Sequence, residues 1–499
     1  MKQNHIIQKV FIEITVNNKE KAYGIKDDIN SFLSIDVFPE IEKYINSIEH
    51  KLAGHTLQIP RLELNFDINN SSLNAELKDR ITQLFKEELS EIAKHHEMFN
   101  QETESGSKAY WVSNQEKLVQ TFIYFLENGC MPWWNSDENS INFFETAVFD
   151  SLISAPSFQK SIVSVLPKQH IQRRIINQLT DVQIAQLCLK ISENKQLQIN
   201  LDDEIILHIS KLKHADRTFV WHMVLRVLLK YLHSSATTDL REYFLEEVSK
   251  AEQIKWLQVK SNLKNLKALA GIFPFVTENE IAESIENTGL TKNIGTVEDQ
   301  KPNKYNIKDY PKSSKIHEEI INQSLEEIHN DGIMNDGQYV QNAGLILIHP
   351  FIKTFFEHCD LLRPENQKLT DPELGVHLLH YIATGNVNPP EYDMVFEKFL
   401  CNIPMHQSIN RHIKLSRKHK TQAKNVIESV QHNWSPMKKS SAALLQNEFF
   451  QRSGKLLVTD HDYTLTVERK TQDILLEKLA WGIGLVKLPW KEKFILVNW

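Results

Sequence analysis

From Asn342 to Trp499 the chain is rich in Trp, Gly and Pro and carries no recognisable catalytic motif. The segment opens Asn342-Ala343-Gly344-Leu345-Ile346-Leu347-Ile348-His349-Pro350-Phe351 and closes Leu479-Ala480-Trp481-Gly482-Ile483-Gly484, then Leu488-Pro489-Trp490 and Val497-Asn498-Trp499. Large aromatics and turn-formers in this density predict a surface built to be buried, not a pocket built for chemistry. The spacing predicts a buried helix over 344–358 and a second helix capped by Gly385, which Pro389 and Pro390 forbid from continuing. Short strands are expected at 455–459, 463–468, 484–488 and 493–497, with a helix near 471–479.

The 499 residues suggest about three domains at roughly 150 residues each. At 41% hydrophobic and 24% charged, there is ample apolar material for cores. A net charge of −7 offers no excess of Lys and Arg for a polyphosphate, so nucleic acid is not an expected partner. No stretch reaches the ~20 apolar residues of a membrane helix, and the N-terminal residues do not read as a cleaved leader, so cytoplasmic folding is expected. Cys130, Cys188, Cys359 and Cys401 are scattered and form no CxxC, which predicts free thiols in a reducing compartment.

The expected fold is mainly α with α+β ends. Residues 5–16 alternate, with Val10, Ile12, Ile14 and Val16 on one face, and predict a strand. Residues 57–68 do the same through Leu62, Leu64, Phe66 and Ile68. Between them lies helical spacing, with Pro39 marking a helix start. A long amphipathic helix follows, striped by Leu73, Leu77, Ile81, Leu84, Phe85, Leu89 and Ile92. This strand–helix–strand–helix unit occupies 1–100. Residues 101–107 read as a linker, and a helix ends at Gly129. Residues 108–285 form a helical central region of short, interrupted segments without a sustained heptad. Sparse apolar residues mark 286–315 as a linker or mobile loop. The C-terminal helical and α+β lobe spans 316–499, beginning with a short amphipathic helix at 316–329.

Candidate chemistry is thin. His377 and His380 lie three apart on a helix, near His349 and His358, but no third ligand has a diagnostic spacing. Cys401 sits in an apolar run that favours an inert thiol over a nucleophile. The expectation is therefore no catalytic, cofactor or metal residues, no cofactor and no enzyme. Trp133 and Trp134 follow a proline and are too costly to leave in water; they plug a core or dock a partner. Trp481, Trp490 and Trp499 recur nine apart and face the same two options, core or docking face.

Several ordered motifs carry a resemblance. They are Asn342-Ala343-Gly344-Leu345 with Pro350-Phe351, Tyr381-Ile382-Ala383-Thr384-Gly385, Pro390-Glu391-Tyr392, Lys398-Phe399-Leu400-Cys401, Phe450-Gln451-Arg452-Ser453-Gly454 and Leu488-Pro489-Trp490. At the other end are His5-Ile6-Ile7-Gln8-Lys9 and Ile59-Pro60-Arg61-Leu62-Glu63-Leu64. In this order the chain resembles the tape-measure proteins of contractile injection systems, phage-tail-like particles of the antifeeding-prophage type. Two positions depart from the family pattern: Ala480, where Pro is more frequent before Trp-Gly, and Asn402, where Gly usually follows Cys401.

The resemblance implies a structural protein that sets tube and sheath length. It also implies contacts with the inner tube, the baseplate or spike and the tube-terminating proteins, and a place in the tube lumen after cytoplasmic assembly. A non-enzymatic assembly factor or adaptor for the baseplate or for cargo loading is the alternative. As one continuous helix, residues 101–340 would span roughly 360 Å. The short segments do not read that way. The expectation is helical extension inside the tube with several copies of the chain packed together.

Overall fold

In the computed structural model, the described residues are 6–15, 18–48, 55–67, 73, 75–94, 110–135, 141–193, 199–233, 240–253, 263–290, 337–363, 365 and 367–499. The protein is mainly α, and five of its seven described strands belong to one C-terminal sheet. The chain divides into two compact units. One contains residues 1–122, 132–140 and 150–158; the other contains 123–131, 141–149 and 159–499. The expected linker at 101–107, the helix at 316–329 and all of 291–315 lie outside the described residues. Residues 286–290, read as the start of that linker, complete the helix Glu278–Leu290.

The first unit corrects three expectations. Residues 6–15 form no regular element and join no sheet. Ile6, Ile7, Val10, Phe11, Ile12 and Ile14 are exposed, Phe11 at 82%. Alternation reports what a segment could pair with, not whether an edge is present, and here no ladder forms. Second, helix formation does not begin at Pro39. A helix runs from Lys19 to Phe32, passes through a π-turn at Leu33–Val37 and continues as Phe38–Ile48. Within the π-turn the Phe38 N–H reaches back to the Leu33 carbonyl. Pro39 has no N–H to continue a regular ladder, and a π-turn is a known way for a helix to absorb such a break. Third, the strand expected at 57–68 is shorter and shifted. β1 (His55–Gln58) pairs antiparallel with β2 (Tyr110–Ser113), while 61–67 join no strand although their exposure alternates. The amphipathic helix appears as Ala75–Lys94, and its Leu77 packs with Phe32, Val37 and Ile41 in a small core.

In the second unit, the central region is a set of short helices packed on one another, not a rod. Its longest among the described residues, His214–His233, has 20 residues and so a length of about 30 Å. It packs against Gln169–Gln178 and Leu240–Gln253, and the latter packs against Glu278–Leu290. Val220, Trp221, Val224, Leu225, Val227 and Leu228 are fully buried. Helical extension is thus not the form found. The apolar stripes are satisfied by neighbouring helices of the same chain. Arg217 fastens one such junction by donating to the Ile176 and Leu179 carbonyls, at the end of Gln169–Gln178, and to Asp181. Those carbonyls would otherwise be orphaned at the helix terminus.

The C-terminal lobe follows the expected pattern closely. β3 (Gln338–Val340), β4 (Gly454–Val458), β5 (Tyr463–Val467), β6 (Leu485–Val486) and β7 (Ile495–Asn498) form a sheet in the order β3-β4-β5-β7-β6, antiparallel except for β5 with β7. One face is buried through Leu456, Leu465, Ile495 and Val497. The expected helix at 344–358 splits. Ala343–Ile348 is a 3₁₀ segment and His349–His358 is α-helical, because Pro350 suits a helix start and not an interior. Gly385 ends Pro372–Thr384 in the left-handed region, at φ 73°, as its capping role requires.

Candidate functional site: a buried charge cluster and an aromatic lobe

The motif residues converge on packing contacts. Gly344 lies against the backbone of 449–450. A Cβ there would come within 1.7 Å of the Phe449 carbonyl oxygen. The neighbouring Ala343 N–H donates to the Arg452 carbonyl at 2.7 Å. Arg452, itself fully buried, donates to the Glu448 and Glu468 carbonyls and to Asp473. Gly454 is equally constrained, since a Cβ would lie 2.6 Å from that of Ala343.

A second convergence is electrostatic. Arg174, on helix Gln169–Gln178, pairs with Glu391 at 3.1 Å, and Lys398 pairs with the other oxygen of Glu391 at 2.6 Å. The Arg174 and Glu391 side chains are 0% exposed and that of Lys398 is 1%. Burying three charges is tolerable only when every donor and lone pair finds a partner. Here they do. Arg174 also donates to the Leu126, Glu127 and His406 carbonyls, and Lys398 to those of Met405 and Gln407. Leu126 and Glu127 end helix Asn114–Asn128, where the dipole favours a cation. The Glu391 N–H donates to Gln178 Oε1 at 3.0 Å, and Gln178 donates to the Ile409 carbonyl at 2.8 Å. Gly129 makes room for the pair. It is left-handed, at φ 76°, and a Cβ would stand 2.7 Å from Glu391 Oε1 and 2.8 Å from Arg174 Nη2. Burial pushes Lys398 below the ordinary lysine range and Glu391 pulls it back up.

A third group surrounds Asn342, whose φ of 55° places it in the left-handed region. Its amide donates to Glu397 Oε1 at 2.8 Å, and His380 Nδ1 lies 3.0 Å from the same oxygen. Asp393 stands nearby, its carboxyl pushed up to about 6 by burial, with Glu397 adding and His380 opposing. These groups face one another inside the lobe and present no open cleft to a substrate.

The residues singled out from the sequence are dispersed. His377 and His380 do not share a ligand direction. His377 donates from Nε2 to the Asn410 carbonyl at 2.8 Å, while His349 donates to that of Gly482. No group of three or more His, Cys, Asp or Glu among the described residues is placed to hold a metal. Cys401 is fully buried and its thiol is pushed well above the ordinary range by burial. Trp490 is in the core, donating to the Leu400 carbonyl at 2.7 Å and lying 5.3 Å from the Phe356 ring. Trp481 and Trp499 are half-buried, donating to the Leu347 carbonyl at 3.0 Å and to Asp473 Oδ2 at 3.2 Å. Trp133 and Trp134, in the other unit, are half-buried and meet edge-to-face at 5.6 Å. Asn402 is left-handed at φ 58° and holds the Trp490 carbonyl and the Lys491 ammonium with its side chain.

Sequence reasoning missed Arg174 and gave Glu391 and Lys398 no role. The signal was their place in apolar motifs, where an unpaired charge would be too costly to bury.

The chain matches the model of the contractile injection system tape measure protein family over residues 4–499. It belongs to that family. The match takes in the central helices, which carried little of the motif resemblance. No curated protein and no solved structure matches the chain. For this tape measure family member, the motifs describe architecture: glycines at close backbone approaches, caps and a charge cluster sealed from water. No described helix is long and apolar enough to cross a membrane.

Proposed function

We propose that this chain is a structural ruler that limits how many inner-tube rings assemble before capping. In this reading it lies in the tube lumen and contacts the tube, the baseplate or spike and the terminating proteins. The family match across 4–499 carries the reading. Its physical logic is that a chain occupying a fixed length blocks termination until the tube has covered it. Removing the helices from Thr146 to Ser192 should shorten particles in electron micrographs in proportion to the span lost. Particles of unchanged length would refute the role.

A second reading is favoured by one observation, the packing of the central helices against one another. A chain that works in this folded form acts as a non-enzymatic assembly factor or adaptor and sets no length. Mass spectrometry of purified particles separates the two. A ruler is retained in the finished particle, whereas an assembly factor is lost from it.

A further inference from the structure

Residues 6–15 are exposed along their whole length and join neither sheet found among the described residues. Ile7, Val10, Phe11, Ile12 and Ile14 stand in water at 54, 46, 82, 44 and 45%. Lys9 and Glu13 are the only charged residues of the segment, and they lie symmetrically about Phe11. Lys9 extends over the Phe11 ring, 4.6 Å from its centre. The same chain offers these charges no matching edge among the described residues. β1 and β2 contain no Asp, Glu, Lys or Arg. Against 61–67, no register, antiparallel or parallel, gives both Lys9 and Glu13 an opposite charge. The antiparallel register that sets Lys9 against Asp67, for instance, sets Glu13 against Glu63.

We propose that residues 7–15 pair antiparallel with residues 7–15 of a second copy. Side chains alternate between the faces of a sheet, so a twofold axis normal to it pairs only residues of like parity. Of those registers, only the one centred on Phe11 sets each copy's Lys9 opposite the other's Glu13. It also puts Phe11 against Phe11 at the axis, and Val10 against Ile12 on the opposite face. Centred on Val10, the pairing would set Lys9 against Phe11; centred on Ile12, it would set Glu13 there. A parallel pairing in register would oppose lysine to lysine. Aromatic, β-branched and opposite-charge pairs are the ones that stabilise a ladder. Two strands alone make a marginal sheet, so the association is weak and depends on concentration. The pairing holds whether the chain acts as a ruler or as an adaptor.

The test is cysteine capture in the full-length protein, whose four native thiols are buried. The substituted positions are all exposed, so the fold does not depend on them. Opposed residues bring their Cα atoms to about 4.5–5.5 Å, within reach of a disulfide. Phe11→Cys alone, under mild oxidation, should therefore link two chains. Ile7→Cys alone and Thr15→Cys alone should not, because each position lies about 27 Å from its own copy. Mixing Ile7→Cys chains with Thr15→Cys chains should restore the link. Lys9→Glu, added to Phe11→Cys, should slow capture about tenfold by setting like charges opposite each other twice. Adding Glu13→Lys as well should bring it back. Capture of Phe11→Cys no faster than that of Thr15→Cys overturns the proposal. Equal capture at all three positions does so too, since it means unspecific adhesion. A double charge swap that fails to restore capture overturns the register on which the choice of a second copy rests.

Discussion

At the scale of single residues, the lobe depends on positions where one atom decides the outcome. Glu391 is held by two cations out of reach of water. Glu391→Gln keeps the shape and leaves Arg174 and Lys398 without their counter-charge. Breaking a buried pair on one side costs about 3–5 kcal/mol. Urea unfolding should register that loss as a lower midpoint. A change below about 1 kcal/mol would mean that water reaches the cluster. Gly344→Ala meets a harder obstacle, the Phe449 carbonyl, and should cost about 3 kcal/mol or more by overpacking. Thermal melting would reveal it. The charge cluster was hard to read from sequence because Arg174 and Glu391 lie 217 residues apart. No local spacing links them. Gly129 was legible as a helix cap, but its second duty, clearing space for the charge pair, was not.

Elements were legible in proportion to their punctuation. The strands β4 to β7 alternate between Gly, Pro and Asp turns, and each lies within a residue or two of its expected place, whereas β3 (Gln338–Val340) was not expected. The helix before Gly385 also ends as read. Gly385 has nothing within 4 Å of a built Cβ, so Gly385→Ala suffers only from its left-handed backbone. The expected loss is about 1 kcal/mol, with Gly385→Asn milder, and denaturation of both variants checks the order. The N-terminal strand was not legible. Residues 6–15 have a strand's alternation, yet a strand exists only where an edge accepts it. Pro39 was read as a start because proline favours one. In the structure the helix passes through it, with the π-turn at Leu33–Val37 absorbing the missing donor.

For the whole molecule, buried titrating groups set the response to acid. Burial holds His222 and His377 down at about 4, against an ordinary 6.5. Between those values the unfolded chain binds more protons than the folded one, so stability falls as pH drops through that window. Asp393 acts in the opposite sense. Its pKa is raised from 3.8 to about 6, so the folded chain takes the extra proton there and gains on acidification. Urea midpoints at about pH 7, 6 and 5 should therefore decline. His377→Asn should flatten the decline and Asp393→Asn should steepen it. The opposite ordering would contradict the burial described for these groups. Fold class was legible at this scale because the apolar stripes of the middle repeat with a helical period. How those stripes are satisfied was not, since periodicity does not say whether the partner is the same chain or another copy.

The strand order β3-β4-β5-β7-β6 also bears on synthesis. β7 enters the sheet between β5 and β6, although it is translated after both. At about 5–20 residues per second, β5 waits on the order of seconds for its parallel neighbour. Until β7 arrives, β5 lacks its parallel neighbour and β6 has no strand to pair with. A chain released early, before Ile495, cannot close the gap. It leaves an unpaired edge of the kind that recruits holdases or seeds aggregates. The sheet is thus complete only in a chain that extends through β7.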